Sequence, residues 1–177
     1  LDYGITPDIQ GFNLVGNPYP SYIDMGTEND PTPDLDLTNL YHSVWVRKDG
    51  SFAVFNRSGD GTAANGGSRY IAPGQGFWLL VEDGNTTGTY SITNDARTQA
   101  DQSLLKDAER HILRLEVSDG KQSDETVVGF YPEAHNGYDK YDSRKRFVTD
   151  NNYPQLYSTL DGRELTINGR STEKDAG

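Results

Sequence analysis

The chain has 177 residues, 33% of them hydrophobic and 11% aromatic, with 27 acidic side chains against 16 basic ones and a formal net charge of −11. That length holds one sandwich-sized domain or two small ones, and the aromatic content argues against a disordered chain, which would be aromatic-poor. The negative field excludes nucleic acid and anionic membrane surfaces as natural partners, and the absence of cysteine removes disulfides, thiolate chemistry and Cys-based zinc sites.

No apolar run approaches the ~20 residues of a membrane helix, so no membrane insertion is expected. The start at Leu1, without a basic leader or a long apolar core, reads as a piece of a longer chain. Residues 1–10 form an approach segment with a short strand expected around Tyr3–Ile5. Phe12, Leu14 and Val15 then make an apolar strand stopped by Gly16-Asn17-Pro18-Tyr19-Pro20. Asn and Gly tolerate left-handed angles and proline fixes φ, so this is a rigid corner, with Pro18 and Pro20 each open to a cis bond. The loop from Asp24 to Asn39 is acidic and proline-bearing, and contains no basic residue of its own.

Leu40–Arg47 reads as a strand with Val44 and Val46 on one face and Trp45 on the other. Lys48-Asp49-Gly50 turns it into a partner strand, Ser51–Asn56. The stretch Ser58–Ser68 is a glycine-rich hairpin loop; without a lysine or a following helix it is not a phosphate-binding loop. Pro73-Gly74 turns into Gly76–Val81, apolar on both faces as a central sandwich strand should be, and this run is the expected partner of the first strand. Gly88–Thr93 reads as a further strand, and Asn94–Arg110 as a polar stretch that is either a short helix around Gln102–Arg110 or an exposed connection, and the best candidate for an internal boundary. His111–Ser118 alternates cleanly, with Ile112, Arg114 and Glu116 opposite Leu113, Leu115 and Val117. It pairs with Glu125–Tyr131 across a turn at Asp119-Gly120. Residues 132–152 form a long charged loop, and Gln155–Ser158 and Glu164–Asn168 flank a turn at Leu160-Asp161-Gly162. A frayed tail is expected from Arg170.

The runs GFNLVGNPYPSYID, the aromatic strand Val44-Trp45-Val46, IAPGQGFWL, HILRLEV, DETVVGF, YDKYDSRK and PQLYSTLDGRELTING, in that order, resemble a module of large secreted proteins of Bacteroidetes. Those proteins leave the cell by type IX secretion. The resemblance spans about Gly11 to Gly169 and implies secretion or cell-surface display rather than any particular chemistry. It also implies strand material beyond Gly169, whose lack would leave an open sheet edge.

Few residues carry chemistry. Asp139 and Asp142, in Tyr138-Asp139-Lys140-Tyr141-Asp142, are candidate calcium ligands, against a salt-bridged reading with Lys140, Arg144 and Lys145. The acidic Asp24–Asp36 loop is a second calcium candidate whose spacing matches no EF-hand. No other cofactor is expected. His42, His111 and His135 show no metal-pair spacing, and no G-x-S-x-G elbow occurs. For stacking on sugars, Trp45 and Trp78 fall in core strands, which leaves the loop tyrosines Tyr138, Tyr141 and Tyr153 as platform candidates, against ordinary loop packing.

The expected fold is all-β, an antiparallel β-sandwich of jelly-roll-like type. It is one domain or two closely packed subdomains, 1–95 and 111–177, joined by 96–110. The expected role is a non-catalytic structural or adhesive module that meets neighbouring modules of the same polypeptide or assembly. The alternative is a carbohydrate-binding module attached to a secreted polysaccharide-degrading enzyme.

Overall fold

The computed structural model describes residues 11–32, 35–48, 50–99, 111–150 and 152–172. They form thirteen strands and a single 3-10 turn at Asn94–Ala96. The chain first lays down β1 (Phe12–Gly16), β2 (Tyr22–Asp24), β3 (Ser43–Lys48), β4 (Ser51–Asn56) and β5 (Thr62–Ala64). Next come β6 (Tyr70–Ile71), β7 (Gly76–Leu80), β8 (Arg97–Thr98), β9 (His111–Ser118) and β10 (Ser123–Tyr131). The last are β11 (Ser143–Arg144), β12 (Ser158–Leu160) and β13 (Arg163–Ser171).

Three sheets result. The central one runs β1-β7-β3-β4-β5, a second runs β11-β13-β10-β9 with β12 also on β13, and a small third runs β6-β2-β8. Alternation on the central strands explains the layering. Phe12, Trp45, Phe52, Val54, Trp78 and Leu80 belong to a core shared with Val127 and Ile167 of the second sheet. Their neighbours Val15, Val44, Phe77 and Leu79 pack on Ile23 and Ile71 of the third sheet. A sheet buried on both faces has apolar residues at successive positions, as β7 does. The first core joins residues from both sides of the 94–110 connection.

The expected pairing of the two proline-bearing runs is present: β1 and β7 are antiparallel, Phe12 opposite Leu80 and Gly16 opposite Gly76. Asn17 locks their ends together. Its backbone N–H donates to the Gln75 carbonyl at 3.0 Å, and its Nδ2 lies 3.1 Å from the Ile71 oxygen and 3.0 Å from that of Ala72. Nδ2 also donates to Ser21 O at 2.8 Å, while Oδ1 accepts from Tyr19 N–H. Pro73 and Gly74 close a turn in which Gln75 N–H donates to Ala72 O, with Gly74 at φ 67°. That positive angle is why glycine follows proline there. The bonds at Pro18 and Pro20 are trans, since no cis peptide occurs among the described residues.

Several expectations change. The expected all-β sandwich is present as three sheets, and one pairing, β10 with β13, is parallel. The glycine-rich loop contains a strand, β5, that pairs with β4. Leu40 and Ser91 make only isolated bridges, so the strand from Leu40 starts at Ser43 and Gly88–Thr93 is not a strand. The last hairpin starts at Ser158 rather than Gln155, around Asp161 at φ 51° and Gly162 at φ 74°. β13 continues through Arg170 and Ser171, where fraying was expected. The expected strand at Tyr3–Ile5 and helix at Gln102–Arg110 lie outside the described residues.

Candidate functional site

The parallel neighbours β10 and β13 place Gly129 beside Gly169. Glycine in a strand interior marks a close approach, and here two tyrosines use it. A Cβ on Gly129 would fall 2.2 Å from the Tyr131 hydroxyl, and one on Gly169 would fall 2.3 Å from Tyr141 Cβ. The Tyr131 and Tyr141 rings stack over this gap, centroids 5.0 Å apart at 24°. The Tyr131 hydroxyl also hydrogen-bonds Thr62 Oγ1, tying the second sheet to the edge of the central one.

The stack floors a groove of about 360 Å³ whose walls include Asn29, Asp60, Phe130 and Glu133, with His111 also on its lining. Phe130 is 41% exposed, and Asp60, Glu133 and Asn29 line the groove with it. Burial pushes the Tyr141 hydroxyl up to about 12, which keeps it a neutral hydrogen-bonding group. A larger cleft of about 560 Å³ is lined by Lys48, Lys121, Glu116 and Glu125, with Tyr153 as its aromatic residue.

The loop tyrosines do not form the open platform the sequence suggested. Tyr141 is 4% exposed and Tyr153 8%; Tyr153 belongs to the core shared by the two larger sheets. Tyr138 packs edge-on against Tyr41 and beneath the Arg163 guanidinium, 4.5 Å from its ring centre. Each ring serves a different neighbourhood. Only Tyr141 reaches the groove, together with Tyr131 and Phe130, which sequence reasoning passed over. The mid-strand glycines of VVGFY and TINGR were the available signal.

Asp139 and Asp142 are also spent locally. Asp142 Oδ1 accepts from Gly169 N–H at 2.9 Å, and its Oδ2 from Asp139 N–H at 2.8 Å. Asp139 accepts from Tyr141 N–H at 2.8 Å and from His135 N–H at 2.6 Å. Four backbone amides therefore hold the oxygens that calcium would need. Among the described residues no group of three or more His, Asp or Glu side chains is placed to hold a metal. The acidic loop finds its cation elsewhere in the chain: Arg69 pairs with Asp24 at 2.7 Å and Asp30 at 2.9 Å. Glu28 pairs with Lys140.

Asp142 is 1% exposed, and burial pushes its carboxyl up to about 6 against the two amides that pull it down. The folded state then holds this proton more tightly than the unfolded chain, whose ordinary value is 3.8. The corresponding stability is present at low pH and is lost as pH rises from about 4 through about 6. Compared with Asp142→Asn, the wild type is expected to lose on the order of 1–2 kcal/mol between about pH 4 and pH 7, read from urea melts at each pH.

His42 Nδ1 lies 3.1 Å from Ser58 Oγ, a pairing of base and hydroxyl that sequence spacing did not suggest. Ser58 is 2% exposed and its hydroxyl also lies 2.7 Å from the Lys140 carbonyl, so the pair joins the central sheet to the 134–145 loop. Asn56 Nδ2 adds contacts to the same loop, with Lys140 O at 3.0 Å, Asp142 O at 3.2 Å and Ser143 Oγ at 3.2 Å.

Layered sheets, braced loops and a shallow aromatic groove define a β-sandwich module. The model of a domain of unknown function, DUF8693, matches residues 3–176, and the chain belongs to that family. No curated protein and no solved structure matches the chain.

Proposed function

We propose that the chain is a non-catalytic structural or adhesive module of a secreted, cell-surface protein, working by holding surface loops rigid against neighbouring modules. The observation that carries this reading is how the loop polar groups are used. Asp139, Asp142, Asn56 and Ser58 are all bonded to backbone within or across layers. Side chains committed in this way stiffen a scaffold and leave little free for chemistry. The export half of the proposal rests on the resemblance to secreted Bacteroidetes modules.

A second reading, carbohydrate binding, is favoured by one feature: the exposed Phe130 ring beside the Tyr131–Tyr141 stack, with Asn29 and Asp60 within the same groove. Exposed aromatic rings suit stacking on a sugar, and the Asn29 amide, which donates to Asp60 Oδ1 at 2.9 Å, edges the same groove. Affinity electrophoresis through plant and algal polysaccharides separates the two. The structural reading predicts unretarded migration. Retardation abolished by Phe130→Ala, with the melting temperature unchanged, would replace it with the second.

A further inference from the structure

β9 faces the wrong way for an ordinary amphipathic strand. Its apolar residues point outward, with Leu113 49%, Leu115 47% and Val117 37% exposed. On its other face Ile112 packs on the core, and the exposed Arg114 reaches Ala63 O at 2.9 Å and Glu125 Oε1 at 3.1 Å through Nη1. β9 ends its sheet, and among the described residues its outer edge pairs with no strand. Exposed edges are normally blunted by lysine, proline, a bulge or an unpaired inward charge, and the charge of Arg114 is paired with Glu125. The sequence HILRLEVS contains neither lysine nor proline, and its register with β10 is unbroken over eight pairs.

We propose that the partner at this edge is a second copy of the chain, its β9 pairing antiparallel across a two-fold axis through Leu115. The argument is self-complementarity. With Leu115 opposite itself, Arg114 meets Glu116 of the other copy and Leu113 meets Val117, each twice. Directly opposed side chains in such a pair are about 4.5–5.5 Å apart at Cβ, close enough for ion pairs and apolar contact. A two-fold interface requires this reciprocity, since each residue must suit its own image. Shifting the register by two residues instead sets Arg114 against Arg114 or Glu116 against Glu116. The strand itself carries one arginine and one glutamate, a neutral strip on a chain of net charge −11, so the copies can approach there with little repulsion.

Sedimentation velocity over a concentration series tests this on the whole chain. The expected result is a concentration-dependent monomer–dimer equilibrium, weakened at least tenfold by Leu115→Lys and by Glu116→Arg. The exchange Arg114→Glu/Glu116→Arg should recover most of the loss, because it restores opposite charges across the axis. Near-UV circular dichroism confirms that each variant is folded. A monomer at every concentration overturns the proposal, as does a dimer insensitive to Leu115→Lys. A monomer whose β9 amides resist hydrogen exchange also overturns it, and assigns the edge to the chain's own residues.

Discussion

Asp124→Ala is expected to destabilise the fold by about 3–5 kcal/mol, the usual cost of removing one partner of a buried ion pair. Asp124 is 1% exposed and pairs with Lys145, itself 8% exposed. The carboxylate also accepts from Leu156 N–H at 2.7 Å and from Asn65 Nδ2 at 2.8 Å. It thus ties β10 to the 145–156 loop and to the turn after β5. Burial depresses the Lys145 amine, opposed by Asp124, so the alanine variant strands a cation that burial already disfavours. Urea denaturation measures the loss. The paired replacement Asp124→Leu/Lys145→Met should be much milder than Asp124→Ala, because no unpaired charge remains. Equal losses would mean that the pair does not govern this region.

Trp45→Ala should cost a similar amount, about 3–5 kcal/mol, from the lost apolar contact and the cavity left behind. Trp45 is fully buried in the core that joins the central and second sheets, packed edge-on against Phe12 at 5.0 Å. Its Nε1 donates to the Arg144 carbonyl at 3.0 Å, a bond between β3 and β11. Trp45→Phe keeps most of the volume and is expected to lose only about 1–2 kcal/mol, mainly through the orphaned carbonyl. Urea melts of both variants check the ordering.

Local chemistry was legible where one stretch of chain determines its own structure. The Pro73-Gly74 turn, the Asp161-Gly162 turn and the hairpin of β9 with β10 all follow from turn residues and alternation. What stayed hidden depends on partners distant in sequence. Arg69 answers the acidic loop from beyond Ser68, although that loop contains no base of its own. The orientation of β9 was equally concealed, because alternation names two faces without saying which one meets the core. Loop tyrosines looked free because loops usually lie on the surface. Tyr141 is buried instead because Gly169, on a strand that arrives later in the chain, leaves room for it. Arg146 is the extreme case: its guanidinium lies within 4.7–5.1 Å of the Phe12, Phe52 and Trp78 ring centres. No local pattern announces that contact.

The rigid-scaffold account requires that the central and second sheets stand or fall together, since Trp45, Asn56 and Asp124 tether segments on both sides of the 94–110 connection. Differential scanning calorimetry of the whole chain tests this most directly. The account predicts one transition with matching calorimetric and van't Hoff enthalpies, moved down as a unit by Asp124→Ala. Two separable transitions, with only one of them responding to that substitution, would contradict it.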